Sequence, residues 1–465
     1  MKKHTVSPQD ASRFTRRRFL QTSTLAALAA TFPFGRLRAA GEPSTADGRF
    51  KNLVTSGRKL RIACIGVGGR GGSHLAHCAA EEIVAFCDVD FDRARKSFAL
   101  FPNVPRYRDY RQMFEEMGDR IDAVVISTPD HMHFPPALLA IQRGKHVYLE
   151  KPITHTIGEA RILKAAAAKH GVVTQMGNQG HAKEGCRVIK EWIEAGVIGT
   201  VREVHSWTNR PIWPQGADAP APDLSKKGAV PIPDTLDWNL WLGVAPERDY
   251  APKIAPFNWR GLWDYGCGAL GDMGCHIMDA PFWALNLRGP VRVSSESEDN
   301  TPFAAPKWSV VTYEFPARGA LPPVKYIWYD GKKQPVIPKE LAGVKLSGGG
   351  SIYIGDKGML YDTDDYGGIP RIFPAERAQE FVRPPRTLPR VPKADNKLEW
   401  INACKGAGPA PCSNFVDHSC DLTETVLLGN LALHAGKPIQ WNPATCSCEG
   451  MPELNRYINK NYRLF

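Results

Sequence analysis

Lys151, Asp272 and His276 are the side chains of this sequence best suited to chemistry on a hydroxyl group. Removing hydride from a secondary alcohol needs a base for the hydroxyl proton, and histidine has the ordinary pKa nearest neutrality. An ammonium beside the oxygen stabilises the alkoxide character that develops there. Lys151 lies in Val147-Tyr148-Leu149-Glu150-Lys151-Pro152, where an apolar strand ends abruptly in charges. The carboxyl end of a parallel strand opens onto the ligand crevice of an α/β protein, so Glu150 and Lys151 are expected to face ligand. Asp272 and His276 stand four apart in a glycine-rich approach to a helix, Gly266 to Asp279, and so share one helix face. The same spacing also suits a purely structural hydrogen bond.

Gly66, Gly68 and Gly71 form a GxGxxG spacing, with Gly69 and Arg70 inside it, between a strand pattern and a helix pattern. Glycine there lets the backbone turn tightly and approach a pyrophosphate held at the helix N-terminus. Asp88, 22 positions after Gly66 at the end of the second strand, is placed to accept hydrogen bonds from an adenine ribose. That carboxylate favours NAD over NADP, whose 2′-phosphate it would repel, while Arg70 pulls mildly the other way. Thr128, Pro129 and His133, in the segment Thr128-Pro129-Asp130-His131-Met132-His133, follow the next strand and face the same crevice. With no further ligands near the two histidines, the segment is expected to pack against the nicotinamide ribose, and no metal is expected.

These residues depend on an alternation of elements. Leu60 to Ile65, Ile83 to Cys87, Ala123 to Ser127, the strand leading to Lys151, and Val172 to Met176 read as buried strands, separated by helices. The pattern predicts a Rossmann domain over residues 59–180 with a mostly parallel sheet. Residues 181–465 turn strand-rich and predict an α+β domain with a largely antiparallel sheet, including a strand from Ser351 to Tyr361 and late helices at Asn396 to Lys405 and Leu422 to Ala435. Its Pro/Trp-rich stretch carries Trp213, Trp238, Trp241, Trp259 and Trp263. Aromatic rings in such numbers suit sugar recognition and equally suit a core built from irregular loops. Asn178, His181, Trp259 and Arg260 are the further candidates for substrate contact.

Residues 1–40 run from Thr15-Arg16-Arg17-Arg18-Phe19-Leu20 through an apolar stretch to Ala39-Ala40, which is the order of a secretory signal and resembles the twin-arginine kind. A linker over 41–58 follows. Eight basic residues against Asp10 give this leader +7 of the chain's +11, so the remainder carries +4, too little to argue for nucleic acid. No apolar run is long enough to span a bilayer. Export to the periplasm would permit a disulfide among Cys404, Cys412, Cys420, Cys446 and Cys448, whose pairing spacing does not decide.

The glycine fingerprint, the TPDHMH loop, the GKHVYLEKP strand and the GALGDMGCHIMD helix together resemble the Gfo/Idh/MocA family of NAD(P)-dependent oxidoreductases, over nearly all of the chain from Lys59. The resemblance implies a Rossmann domain carrying the nucleotide and a second domain supplying substrate contacts and often an oligomer interface, hence a homo-oligomer. It assigns Lys151 to the lysine of the Glu-Lys-Pro signature, and Asp272 and His276 to the acid and base of the helix pair. It implies a sugar or polyol substrate. The export signal, the Trp/Pro-rich stretch and the segment Gln175 to His181 depart from cytoplasmic members. An exported enzyme cannot readily exchange NAD, so a retained nucleotide is expected. A redox-assisted glycosidase on the same fold, or a non-catalytic sugar-binding protein, are the alternative readings.

Overall fold

The computed structural model describes residues 48–220 and 230–465. The leader, and with it the expected twin-arginine signal, lies outside the described residues. The first sheet has six parallel strands: β1 (Arg61–Ile65), β2 (Glu82–Cys87), β3 (Arg106–Tyr107), β4 (Ala123–Ile126), β5 (His146–Leu149) and β6 (Thr174–Met176). Their order is β3-β2-β1-β4-β5-β6. Every residue of β4, β5 and β6 is buried, as expected of strands covered by helices on both faces. The order reverses between β1 and β4, and the loops after those strands therefore diverge and open a crevice.

Local signals set the helices. The Phe91–Leu100 helix begins where Asp90 accepts from the N–H groups of Asp92 and Arg93. The Ile157–His170 helix opens on a reciprocal Thr156/Glu159 capping box and closes on Gly171 at φ 63°. The first helix starts at Arg70, where the glycine loop turns directly into it.

The second sheet has nine strands: β7 (Val201–Thr208), β8 (Arg292–Glu298), β9 (Trp308–Phe315), β10 (Val324–Tyr329), β11 (Gly349–Gly355), β12 (Met359–Asp362), β13 (Arg371–Phe373), β14 (Ile439–Asn442) and β15 (Ser447–Cys448). In the order β13-β12-β11-β7-β10-β9-β8-β14-β15, only β7 and β10 pair in parallel. The single strand expected from Ser351 to Tyr361 is instead the hairpin β11–β12. Asp356-Lys357 forms a turn that the Gly355 N–H closes on the Gly358 carbonyl at 2.9 Å. The Gly268–Ile277 and Cys420–Ala435 helices pack on this sheet; the second also packs on the Ile157–His170 helix of the first domain and is buried nearly all round.

The Asn396–Cys404 helix, late in the chain, joins the first domain's core. Its Trp400, Ile401 and Cys404 cluster with Ile62, Cys64 and Leu75. The segment before β1 docks there too, with the Val54 N–H donating to the Cys404 carbonyl at 2.9 Å. All eleven cysteines are free thiols. Cys404 and Cys420 lie in different apolar clusters, and the five late cysteines, among which a disulfide was expected as permissible, are all unpaired.

Candidate active site

A cleft of about 500 Å³ runs from the glycine loop to the Gly268–Ile277 helix. At its first end Gly66 adopts φ 76°, and a Cβ there would lie 2.8 Å from the Ser127 carbonyl carbon. A Cβ on Gly71 would run into the Gly66 carbonyl oxygen. Asp88 braces the loop: its Oδ2 accepts the N–H groups of Val67 at 2.8 Å and Gly68 at 3.1 Å, and its Oδ1 that of Asp90 at 3.0 Å. Burial pushes the Asp88 carboxyl up, against those backbone donors. The Arg70–Cys78 helix has no side-chain cap; the Gly71 N–H donates to the Gly68 carbonyl at 3.1 Å, and no side chain competes with an anion at this terminus. A tight glycine turn, an uncapped helix terminus with Arg70 at its mouth, and an acid at the end of β2 fit a dinucleotide. Gly71→Ala is expected to yield protein that binds little or no nucleotide, read as the absorbance of bound cofactor after purification; full occupancy would contradict the packing argument.

Arg93 and Arg108 also line this end and were not anticipated from the sequence. The segment around Leu236 covers it. Leu236 bridges to Asp90, the Asp237 N–H donates to the Val89 carbonyl at 2.9 Å, and the Phe91 N–H donates to the Thr235 carbonyl at 3.1 Å. Arg108 Nη1 donates to the Val89 and Thr235 carbonyls, both at 2.9 Å. Part of the second domain is thereby fastened to the loop after β2.

Midway, Glu150 accepts from His74 Nε2 at 2.8 Å and pairs with Arg70 Nε at 3.3 Å. Burial alone would push the Glu150 carboxyl up, but His74, Arg70 and Lys151 hold it well below the usual range. Thr128, Pro129 and His133 line the cleft as expected. His133 faces the Pro152 carbonyl at 2.7 Å and the Thr128 carbonyl at 2.8 Å, so both ring nitrogens brace backbone.

At the far end Lys151 Nζ donates to Asp272 Oδ1 at 2.7 Å and to the Asp272 carbonyl at 2.9 Å. Burial pulls the ammonium's pKa down, but Asp272 and Glu150 win and raise it; burial pushes Asp272 up, but Lys151 and Arg260 win and lower it. Both groups are therefore charged. His276 is one helical turn beyond Asp272, its ring edge-on to Tyr366 at 4.9 Å between centroids, and its Nδ1 is buried without a partner. Burial, then the charge of Lys151, lower its pKa to about 3.

Trp259 and Arg260 line this end, as anticipated, whereas Asn178 and His181 do not. They stand three apart around a single tight turn, Gln179–Ala182, and so point the same way, into the protein. Asn178 Oδ1 accepts from Ser413 Oγ at 2.8 Å, and His181 Nδ1 donates to Asp279 Oδ2 at 2.9 Å. Asp279 also accepts from His418 Nε2 at 2.6 Å, forming a buried cluster whose three ligand-type atoms lie within 4.8 Å of one another. Of the two residues between them, Gln179 reaches the cleft, where its Oε1 accepts from Arg70. Tyr366 and Arg210 also line it unanticipated, Tyr366 from the β12–β13 loop and Arg210 from just beyond β7. No sequence pattern marked them.

The five tryptophans of the Pro/Trp-rich stretch divide. Trp238 and Trp241 stack at 4.6 Å inside a local core, Trp213, Trp241 and Trp259 are mostly buried while also lining the cleft, and Trp263 packs on His434 at 4.5 Å between centroids. Among the described residues no helix is long and apolar enough to cross a membrane.

Residues 60–178 match the model of an oxidoreductase family's NAD-binding Rossmann fold, and residues 222–321 match that of an oxidoreductase family's C-terminal alpha/beta domain. Similar curated proteins include a glycosyl hydrolase family 109 protein of Shewanella pealeana, 29% identical over 202 residues, which are 40% of this chain and 44% of that protein. Inositol 2-dehydrogenase 3 of Saccharopolyspora erythraea is 30% identical over 211 residues, 44% of this chain and 61% of that one. The chain spans about half the length of the curated relatives it matches. The structure of the WlbA dehydrogenase from Bordetella pertussis, in complex with NADH and UDP-GlcNAcA, shares the fold: TM-score 0.57 at 16% identity, covering 83% of this chain and 99% of that one.

Proposed function

Because the chain carries the NAD-binding and C-terminal domains of the Gfo/Idh/MocA oxidoreductases, we propose that it is an exported enzyme acting on a secondary hydroxyl of a sugar or polyol, with its NAD held between turnovers. The observation that carries the reading is the Lys151–Asp272 ion pair, set one helical turn from His276 in the cleft that begins at the glycine loop. A bound nicotinamide would accept hydride from the hydroxyl carbon or donate it to the carbonyl, and an external acceptor or donor would reset it for the next turnover. Lys151 then steadies the substrate oxygen as charge develops on it. Asp272 fixes the ammonium, and His276, neutral, takes the hydroxyl proton. The fastening of the Leu236 segment over the adenosine end supports retention of the nucleotide, and the paired arginines of the leader support export. Lys151, Gly66 and Asp88 serve the cofactor as well as the cleft. A substrate-domain interface between copies of the chain would fit the nine-stranded sheet.

The test is mass spectrometry and absorbance of the nucleotide in freshly purified protein, followed by a polyol and glycoside screen on that sample. Nucleotide-free protein that exchanges added NAD rapidly would overturn retention. Since His276 stays neutral down to about pH 3, lowering the pH from 7 to 5 should not protonate it. The pH profile of kcat/KM should therefore lack an inflection near pH 6.5 that disappears in His276→Asn; finding one would contradict its environment.

The glycosyl hydrolase family 109 relative favours a second reading, a glycosidase that borrows and returns hydride without net redox. Release of aglycone from an aryl glycoside without net NADH supports it. A keto product that demands an external acceptor supports the dehydrogenase.

A further inference from the structure

Two guanidinium groups at the far end of the cleft have more donors than protein partners. Arg260 is held by aromatic rings, its guanidinium carbon 4.4 Å from the Trp259 centroid, 4.7 Å from that of Phe257 and 5.9 Å from that of Trp213. Its Nε lies 3.4 Å from Asp272 Oδ1 and its Nη1 donates to the Phe257 carbonyl at 3.2 Å, which leaves Nη2 without a partner among the described residues. Arg210 donates from Nη1 to Asn209 Oδ1 and makes no ion pair among those residues. Asp365 acts on Arg210 only at longer range, and burial pushes its carboxyl up.

Three cations, Lys151, Arg210 and Arg260, thus face this end of the cleft, and Asp272 is the one carboxylate in ion-pair contact with them among the described residues. Asp130 nearby acts on Lys151 and Arg260 only at longer range, and its Oδ2 is engaged by the Cys267 N–H at 3.1 Å. Guanidinium donors that no protein group takes up are free to meet an anion entering from solvent, and a guanidinium held flat by aromatic rings presents a fork that matches a carboxylate or a sulfate.

We propose that the substrate is an anionic sugar, whose carboxylate or sulfate ester is seated by Arg210 and Arg260 while a ring hydroxyl meets Lys151. This rests on the reading of the cleft as a sugar or polyol site. The experiment is calorimetric binding to nucleotide-loaded protein of matched pairs: glucuronate against glucose, galacturonate against galactose, and N-acetylglucosamine 6-sulfate against N-acetylglucosamine. In at least one pair the charged member should bind about tenfold tighter or more, as charge-assisted hydrogen bonds imply, and which pair does so separates carboxylate from sulfate. Arg210→Gln should remove that preference while leaving the neutral member's affinity within about twofold. If Arg210→Gln fails to fold by circular dichroism, Arg260→Lys, which keeps the charge but loses the fork, should lower the preference instead. Equal affinity within every pair overturns the proposal while leaving the sugar reading intact. An equal loss for both members in the variant also overturns it. Failure of every sugar to bind while the nucleotide stays loaded overturns both.

Discussion

Lys151→Ala is expected to lower turnover by about 10²- to 10³-fold while the nucleotide stays bound, the loss seen when one preorganised donor to a developing oxyanion is removed. Two observations make the effect large. The ammonium is held at 2.7 Å by Asp272 and again by the Asp272 carbonyl, so its position costs nothing to organise during the reaction. Its side chain is also only 14% exposed, and in such partly dry surroundings its field on an oxygen is stronger than in solvent. Truncation leaves Asp272 with Arg260 alone, at 3.4 Å, so the carboxylate keeps a counter-ion and the fold should survive. Lys151→Arg should not restore activity, because a planar fork cannot occupy the point held by an ammonium. Measuring kcat and bound-nucleotide absorbance on the same preparation checks the prediction; unchanged turnover removes Lys151 from the mechanism.

The second large effect concerns stability in acid. His131 and His146 are buried and His434 is half-buried between Trp263 and Tyr457, and withdrawal from water lowers their pKa values to about 3, about 4 and about 4. His146 shows why the neutral ring is preferred. Its Nδ1 accepts the Val173 N–H at 3.0 Å, so Nε2 carries the proton, directed at the Asn52 carbonyl at 3.2 Å. A second proton would break the first bond and place charge in the core. In the unfolded chain these rings titrate near 6.5. Below that pH the unfolded state binds protons that the folded state refuses until about pH 3 to 4. Their contribution is therefore fully present above pH 6.5 and is lost progressively as pH falls. Each ring costs roughly 2 kcal/mol between pH 7 and pH 5, so the three together cost about 6 kcal/mol, comparable with the whole stability of an ordinary domain. Denaturant midpoints measured from pH 7 to pH 5 should fall steeply, and His146→Gln should make the fall shallower. A flat profile to pH 5 would mean that these rings are not the neutral groups described.

The Rossmann half was readable because its signals are local. Apolar runs of strand length, a glycine loop and an acid after the second strand each act within a few residues, and they fall where they were expected. Errors arose where a short pattern has two solutions. Ser351 to Tyr361 is apolar enough to read as one strand, but Asp356-Lys357 folds it back on itself. Asn178 and His181 look like site residues, but the tight turn that carries Gln179 into the cleft rotates both of them inward.

By itself, then, the sequence determined the two-domain α/β plan, the nucleotide loop and the placement of Lys151 at a strand end, because backbone sterics and hydrophobic periodicity operate over short distances. Only the tertiary structure decided what that lysine meets. Asp272 is 121 positions away, and its partnership with Lys151 exists because the Gly268–Ile277 helix packs between the nine-stranded sheet and the Cys420–Ala435 helix. The same packing brings Arg210, Tyr366 and Gln179 to one cleft from three unrelated segments. Such convergence is set by how whole elements bury their faces against one another, which no spacing along the chain records.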